Sequence, residues 1–180
     1  MTRRFTLSLM FLLGFSTACS GERATEPAFE SSAWTSKSAN KSVSRPISGR
    51  CTTNIHSAVP GPVSLVLDMT GSCNLSHLGR SSLVIHQECY YAGPLAGTCD
   101  NTSITTAANG DRLYATWHSA VGQNTFDGCN AVFAGVNTYT GGTGRFDGAT
   151  GSSYIEGTAA CNPATGAFTG QYTLSGTISY

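Results

Sequence analysis

The sequence predicts an all-β domain: an antiparallel, closed barrel of about eight strands, with a β-sandwich as the alternative arrangement of the same strands. Three observations lead there. Charged residues are only 11% of the 180-residue chain while Gly, Ser and Thr abound, a mix poor in helix formers and rich in strand and turn formers. Short apolar or alternating runs recur from Val63 onward with glycine-rich turns between them. No stretch there sustains the i, i+3, i+4 spacing of an amphipathic helix.

The chain opens with a segment that belongs to targeting. Met1–Arg4 is a positive n-region, Phe5–Phe15 an apolar stretch too short to span a bilayer, and Ser16-Thr17-Ala18 a run of small residues. Residues 1–18 therefore read as a secretory signal peptide. Ser16-Thr17-Ala18-Cys19 resembles the bacterial lipobox, although that motif usually carries an aliphatic residue where Ser16 stands. The resemblance implies that Cys19 is lipid-modified and becomes the mature N-terminus; ordinary cleavage after Ala18 would leave a free thiol. Seven cysteines are an odd number for an exported protein, and a lipid on Cys19 leaves an even six. Multiple acyl chains would hold the protein on a membrane. Ser20, where retained lipoproteins of the resembled class carry Asp, points to the outer membrane, on its periplasmic or surface face. Without the lipid the protein would be secreted.

From Cys19 to Arg45 the composition is polar and aperiodic, with Phe29 and Trp34 isolated. Such a segment buries too little to offset chain entropy and reads as a flexible tether. The domain, 46–180, then begins. The Pro60-Gly61-Pro62 turn introduces a strand over Val63–Met69. Ser81–Tyr91 is the next, with Leu83, Ile85 and Gln87 on one face. Thr102–Ala107 leads to Asn109-Gly110, the best hairpin turn in the chain and a candidate type I′ turn with φ > 0 at both residues. In Arg112–Ser119, Leu113, Ala115 and Trp117 share one face, and Arg112, Tyr114, Thr116 and His118 the other. Ala131–Thr140 and Ser152–Ala160 follow, and Ala167–Ile178 closes the series, with Gly170 and Gly176 as candidate breaks. Between them, Thr138–Gly151 carries five glycines and two aromatics facing a core, Tyr139 and Phe146. It reads as two strand ends and a bend, with Arg145 and Asp147 placed to pair across it.

Ser76-His-Leu-Gly-Arg80, Ala107-Ala-Asn-Gly-Asp111, Gly141–Gly151 and Gly176-Thr-Ile-Ser-Tyr180, in that order, resemble a group of exported bacterial proteins of uncharacterised function. Gly141-Gly-Thr-Gly-Arg-Phe146 also resembles the glycine-rich strand of dirigent proteins and of the allene oxide cyclase-type barrel, both related to lipocalins. The resemblance implies an eight-stranded barrel. No catalytic motif of those families maps onto this chain, so it carries over no catalytic residue.

The candidate chemistry is sparse. No two cysteines have C-x-x-C spacing, which excludes a thioredoxin-like site and a zinc knuckle. Cys51, Cys73, Cys89, Cys99, Cys129 and Cys161 read as structural disulfides of an oxidising compartment. Cys89–Cys99 closes most easily, across a short Pro/Gly loop; Cys51–Cys73 and Cys129–Cys161 complete one of the fifteen pairings open to six cysteines. His77 and Arg80 could form a polar pair at a barrel mouth suited to an anion; alternatively His77 caps a backbone carbonyl and Arg80 is solvated or pairs with a carboxylate such as Asp111. His86 and Glu88 share a strand face but lack a third metal ligand at fixed spacing. Gly141–Gly144 has neither the following Lys-Ser/Thr nor the helix of a phosphate loop. There is no Gly-x-Ser-x-Gly elbow. Trp117, Tyr114 and Tyr139, with Phe133, offer aromatic surface for a ligand or for a core. With no basic stripe, a nucleic-acid partner is not expected; no cofactor is indicated.

These observations lead to the expectation of a lipid-anchored, non-enzymatic barrel that binds a small or apolar molecule, or an envelope component. A cyclase-like or dirigent-like enzyme and a purely structural envelope protein are the other two readings.

Overall fold

A computed structural model describes residues 42–61, 64–93, 96–127, 130–162, 164–165 and 167–180. The expected signal peptide, Cys19 and most of the expected tether, as well as Val63 and Cys129, lie outside the described residues. Eight strands form one closed antiparallel barrel: β1 (Ser44–Pro60), β2 (Ser64–Leu75), β3 (Gly79–Gly93), β4 (Ala96–Ala107), β5 (Arg112–Asp127), β6 (Asn130–Gly142), β7 (Thr150–Cys161) and β8 (Phe168–Ser179). Each strand pairs with its neighbours in sequence, and β8 returns to pair with β1. Closure leaves no sheet edge unpaired. It also disposes of the sandwich alternative, because the strands form one sheet rather than two.

Period-two alternation builds the wall. Along β1, Ile47, Cys51 and Thr53 are buried between exposed Ser48, Thr52 and Asn54. This strand was not expected, because its inward set mixes Ile, Gly, Cys and Thr and presents no apolar run. It begins at Ser44, so Ser44 and Arg45, assigned to the tether, pair with Ser179 and Ile178. A bulge between Ile55 and Ser57 places exposed His56 against the Thr70 hydroxyl. β8 runs unbroken through Gly170 and Gly176, the two candidate breaks.

Turn chemistry corrects one expectation. The hairpin after β4 is at Asn109-Gly110, but only Gly110 has positive φ (88°). Gly110 N–H donates to Ala107 O and Ala107 N–H to Asp111 O, which makes a three-residue loop closed by a left-handed glycine. Asn109 accepts from the Asp111 N–H through its side chain, so its own backbone has no need of the left-handed region.

One end of the barrel is plugged. Here the β2–β3, β4–β5 and β6–β7 turns meet the start of β1 and the end of β8. The glycine-rich bend contains a short 3₁₀ turn, Gly144–Phe146, that tucks Phe146 inside at 0% exposure beside buried Ile47, Leu78, Ala149 and Ile178. The Phe146 and Tyr180 rings meet edge to face, 5.0 Å between centroids. Gly144 (φ 62°) lies against the Asp111 carboxylate, where a Cβ would come within 1.9 Å of an oxygen. That carboxylate takes Arg145 at 3.4 Å. Arg145 therefore pairs across the barrel end with Asp111, not with Asp147 within its own bend, and Asp111 is not the partner of Arg80.

Candidate functional site: the barrel interior

The interior beyond the plug is hollow. A cavity of about 530 Å³ runs from the plug towards the other end, where β1, β3, β5 and β7 finish. At roughly 30 Å³ per water it has the capacity of about 18 waters, the size of a small organic ligand. Its wall on β1, β2 and β3 is apolar: Ile55, Leu65, Leu67, Met69, Leu83 and Ile85. Ala58, Asn130, Ala131 and Phe168 line it near the mouth. His56 joins the lining at the bulge, and among the described residues no Lys, Arg, Asp or Glu contributes to it.

Two polar groupings interrupt the apolar lining. On β3 and β4, Gln87 and Asn101 are direct cross-strand partners, with Asn101 Nδ2 donating to Gln87 Oε1 at 3.5 Å. Gln87 Nε2 in turn donates to the Cys89 sulfur at 3.1 Å. Asn101 also opposes Trp117, which opposes Asn137. Asn101 Oδ1 and Trp117 Nε1 are buried without a hydrogen-bond partner. Such orphaned groups cost stability and are uncommon in interiors selected for stability alone.

On the β6–β8 wall, the Tyr139 hydroxyl donates to Ser153 Oγ at 3.0 Å, and Asn137 Nδ2 approaches the same oxygen at 3.5 Å. Tyr172 projects inward from β8 beside this group, and Phe133 packs edge to face on both Tyr172 and Trp117. Gly157 makes room for that pair: a Cβ there would lie 2.5 Å from the Tyr172 Cβ and 2.7 Å from Phe133 Cζ. Among the described residues no hydrogen bond is made by the Tyr172 hydroxyl, and the half-buried Tyr172 lines the cavity. Burial pushes the ionisation of both phenols up, for Tyr172 the more strongly, with the neighbouring Tyr139 adding to the effect. Both are neutral donors across the physiological range.

A pH prediction follows. The folded barrel holds these protons where the unfolded chain would release them, near pH 10. Stability is therefore intact below about pH 10 and falls as the pH rises through that value, because the unfolded state then binds fewer protons. Ultraviolet titration should show two tyrosines silent until the alkaline unfolding transition, with chemical-denaturation midpoints declining above that pH. All tyrosines ionising together without unfolding would contradict the enclosed placement.

The sequence-derived candidates separate cleanly. Trp117 and Tyr139 line the cavity, both buried. Tyr114 does not: it sits on the outer face of β5 between Ile104 and Gly141, as its alternation against Trp117 requires. His77 lies at the plugged end, not at a mouth. It has φ 69° in the β2–β3 turn, donates Nε2–H to Pro46 O at 2.9 Å and packs on Tyr180. Arg80 is exposed on the outer wall, separated from Arg50 by Asn74 in one cross-strand row. Neither His77 nor Arg80 reaches the cavity. His86 pairs with Asp68 at 2.7 Å and lies 3.8 Å from Glu88 on the exposed outer face, where the hydrogen bond to Asp68 raises its pKa. No group of three or more metal-ligating side chains occurs among the described residues.

Cys51–Cys73 and Cys89–Cys99 are disulfides, each joining residues directly opposite on adjacent strands with Cα atoms 4.1 and 4.0 Å apart. They face inward and staple β1 to β2 and β3 to β4. Cys161 is also disulfide-bonded; Cys129, the partner expected for it, lies outside the described residues. Two disulfides are consistent with an extracytoplasmic location.

Tyr172, Thr53, Asn101 and Asn137 were not singled out from the sequence, although the alternation of Gly170, Tyr172 and Leu174 places Tyr172 with an inward set. No protein-family model matches the chain, and no curated protein matches it either.

Proposed function

We propose that this protein is an exported, lipid-anchored barrel that holds a small, largely apolar, uncharged molecule in its interior. The observation that carries this reading is the cavity of about 530 Å³, apolar over most of its wall and free of fixed charge among the described residues. An interior filled by its own side chains would have favoured a purely structural role. The two buried phenols facing the cavity are held protonated, which suits them to hydrogen bonding and not to proton abstraction near neutral pH. That favours binding over a cyclase-like activity.

The anchor rests on the lipobox-like Ser16–Cys19 and on the odd cysteine count, and the disulfides support export. In this reading Cys19 carries the lipid, residues 20–43 form the tether, and the barrel is displayed from the outer membrane. The resemblance of Gly141–Phe146 to the dirigent and allene oxide cyclase barrels supports a distant kinship in fold.

One experiment tests both parts. The full chain is purified from the membranes of its own cells in mild detergent, and its native and denatured masses are compared. The expected denatured mass begins at Cys19 with an added diacyl or triacyl group, and the native mass exceeds it by one small molecule. A denatured mass beginning at an unmodified Cys19 removes the anchor, and identical native and denatured masses argue against the ligand.

A further inference from the structure

We infer that the ligand of this cavity is neutral and carries an acceptor oxygen of the carbonyl type, received by the Tyr172 hydroxyl. The inference rests on the binding reading above and specifies the chemistry of the occupant.

The polar groups of the interior are not equivalent. The Tyr139 hydroxyl is spent on Ser153, and the Gln87 and Asn101 amides on each other and on the Cys89 sulfur. The orphaned Asn101 Oδ1 and Trp117 Nε1 are covered by protein, the indole edge lying against Gly135, so an occupant does not reach them without displacing the wall. Tyr172 differs: it lines the cavity, its hydroxyl makes no hydrogen bond to a described residue, and its ring packs on Phe133 over the gap left by Gly157. A phenol held in place by packing is a preorganised donor, so an occupant that supplies an acceptor gains the hydrogen bond without first ordering the group that gives it.

The charge of the occupant follows from the same wall. A carboxylate or phosphate brought beside Tyr172 would lose its hydration without meeting Lys or Arg among the described residues of the lining, and an ammonium would meet no carboxylate among them. A ketone, ester or amide oxygen needs no counter-charge, and Leu67, Met69, Leu83 and Ile85 accept the hydrocarbon remainder.

The test compares probes of one chain length. Displacement of N-phenyl-1-naphthylamine from the purified full chain is measured for undecane, 2-undecanone and undecanoate at pH 8, with the native protein and with Tyr172→Phe. That substitution keeps the ring and removes only the hydroxyl, and circular dichroism confirms the fold. In Tyr172→Phe the ketone is expected to bind about 3–10-fold more weakly than to the native protein, the range of one net hydrogen bond, while the affinity of the alkane stays unchanged; undecanoate is expected to be the weakest ligand of the native protein. A ketone affinity that does not change in Tyr172→Phe, an equal loss for the alkane, or tightest binding of undecanoate would overturn the inference while leaving the binding function intact. Failure of the naphthylamine and of every probe to bind would remove the function itself, and the inference with it.

Discussion

Phe146→Ala is expected to destabilise the barrel by about 3–5 kcal/mol, the range found when a buried phenylalanine is truncated. Phe146 has 0% exposure, and its ring is held on one side by Tyr180 and on another by the Arg145 guanidinium, 4.9 Å from the ring centroid. The 3₁₀ turn exists to deliver this side chain, so little else in the bend would compensate for its loss. For a domain of this size the melting temperature should fall by roughly 10–20 °C. Thermal unfolding followed by far-ultraviolet circular dichroism measures it. A loss below about 1 kcal/mol would mean that the plug is not part of the cooperative core.

The second large effect concerns the inward disulfides. Replacing Cys51 and Cys73 together by alanine should cost about 3 kcal/mol, because the bridge closes a loop of 22 residues in the unfolded chain. The Cys89–Cys99 loop spans 10 residues and should cost slightly less. Each bridge joins strands already paired in register, so its loss should lower stability and leave the strand pairing unchanged. Melting with and without reductant should separate by roughly 10 °C or more. Coincident melts, with thiols shown to be free in the reduced sample, would contradict this account.

The fold was legible where the physics is local. Val, Leu and Ile alternation marked β2 and β3, and the Leu113, Ala115, Trp117 alternation assigned the faces of the first half of β5, although the strand runs on past Ser119 to Asp127. The glycine-rich bend was legible as a bend because no helix or lysine follows it. β1 was hidden because a barrel interior accepts Gly, Thr and disulfide cysteine as readily as aliphatic residues, so its pattern shows in burial but not in hydropathy. Pairing across the sheet made Cys51–Cys73 and Cys89–Cys99 direct neighbours, a relation of register that sequence spacing only hints at.

The site was less legible. Trp117 and Tyr139 were found through their aromatic character, but that criterion also selected Tyr114, which alternation sends outside. His77 and Arg80 attracted attention as charged residues in a turn, yet turns occupy both ends of a barrel, and theirs is the filled one. The hollow part lies beyond it, and its chemistry comes from Tyr172, Asn101 and Asn137, neutral residues that carry no motif.

The pairing of β1 with β8 bears on how the chain reaches this state. Ser44 meets Ser179, so the strand nearest the start of the domain waits for the one furthest along it. Every other pairing is a hairpin between sequence neighbours and can form as soon as both strands exist. Closure alone is a long-range event, and loop entropy makes such contacts slow. Until β8 arrives, β1 presents an unpaired edge and the apolar interior lies open to water, the condition in which strands join the wrong partner. A chain threaded across a membrane N-terminus first would spend its passage in that state. The last twelve residues of strand would then act as a latch, deciding when the barrel becomes a closed container.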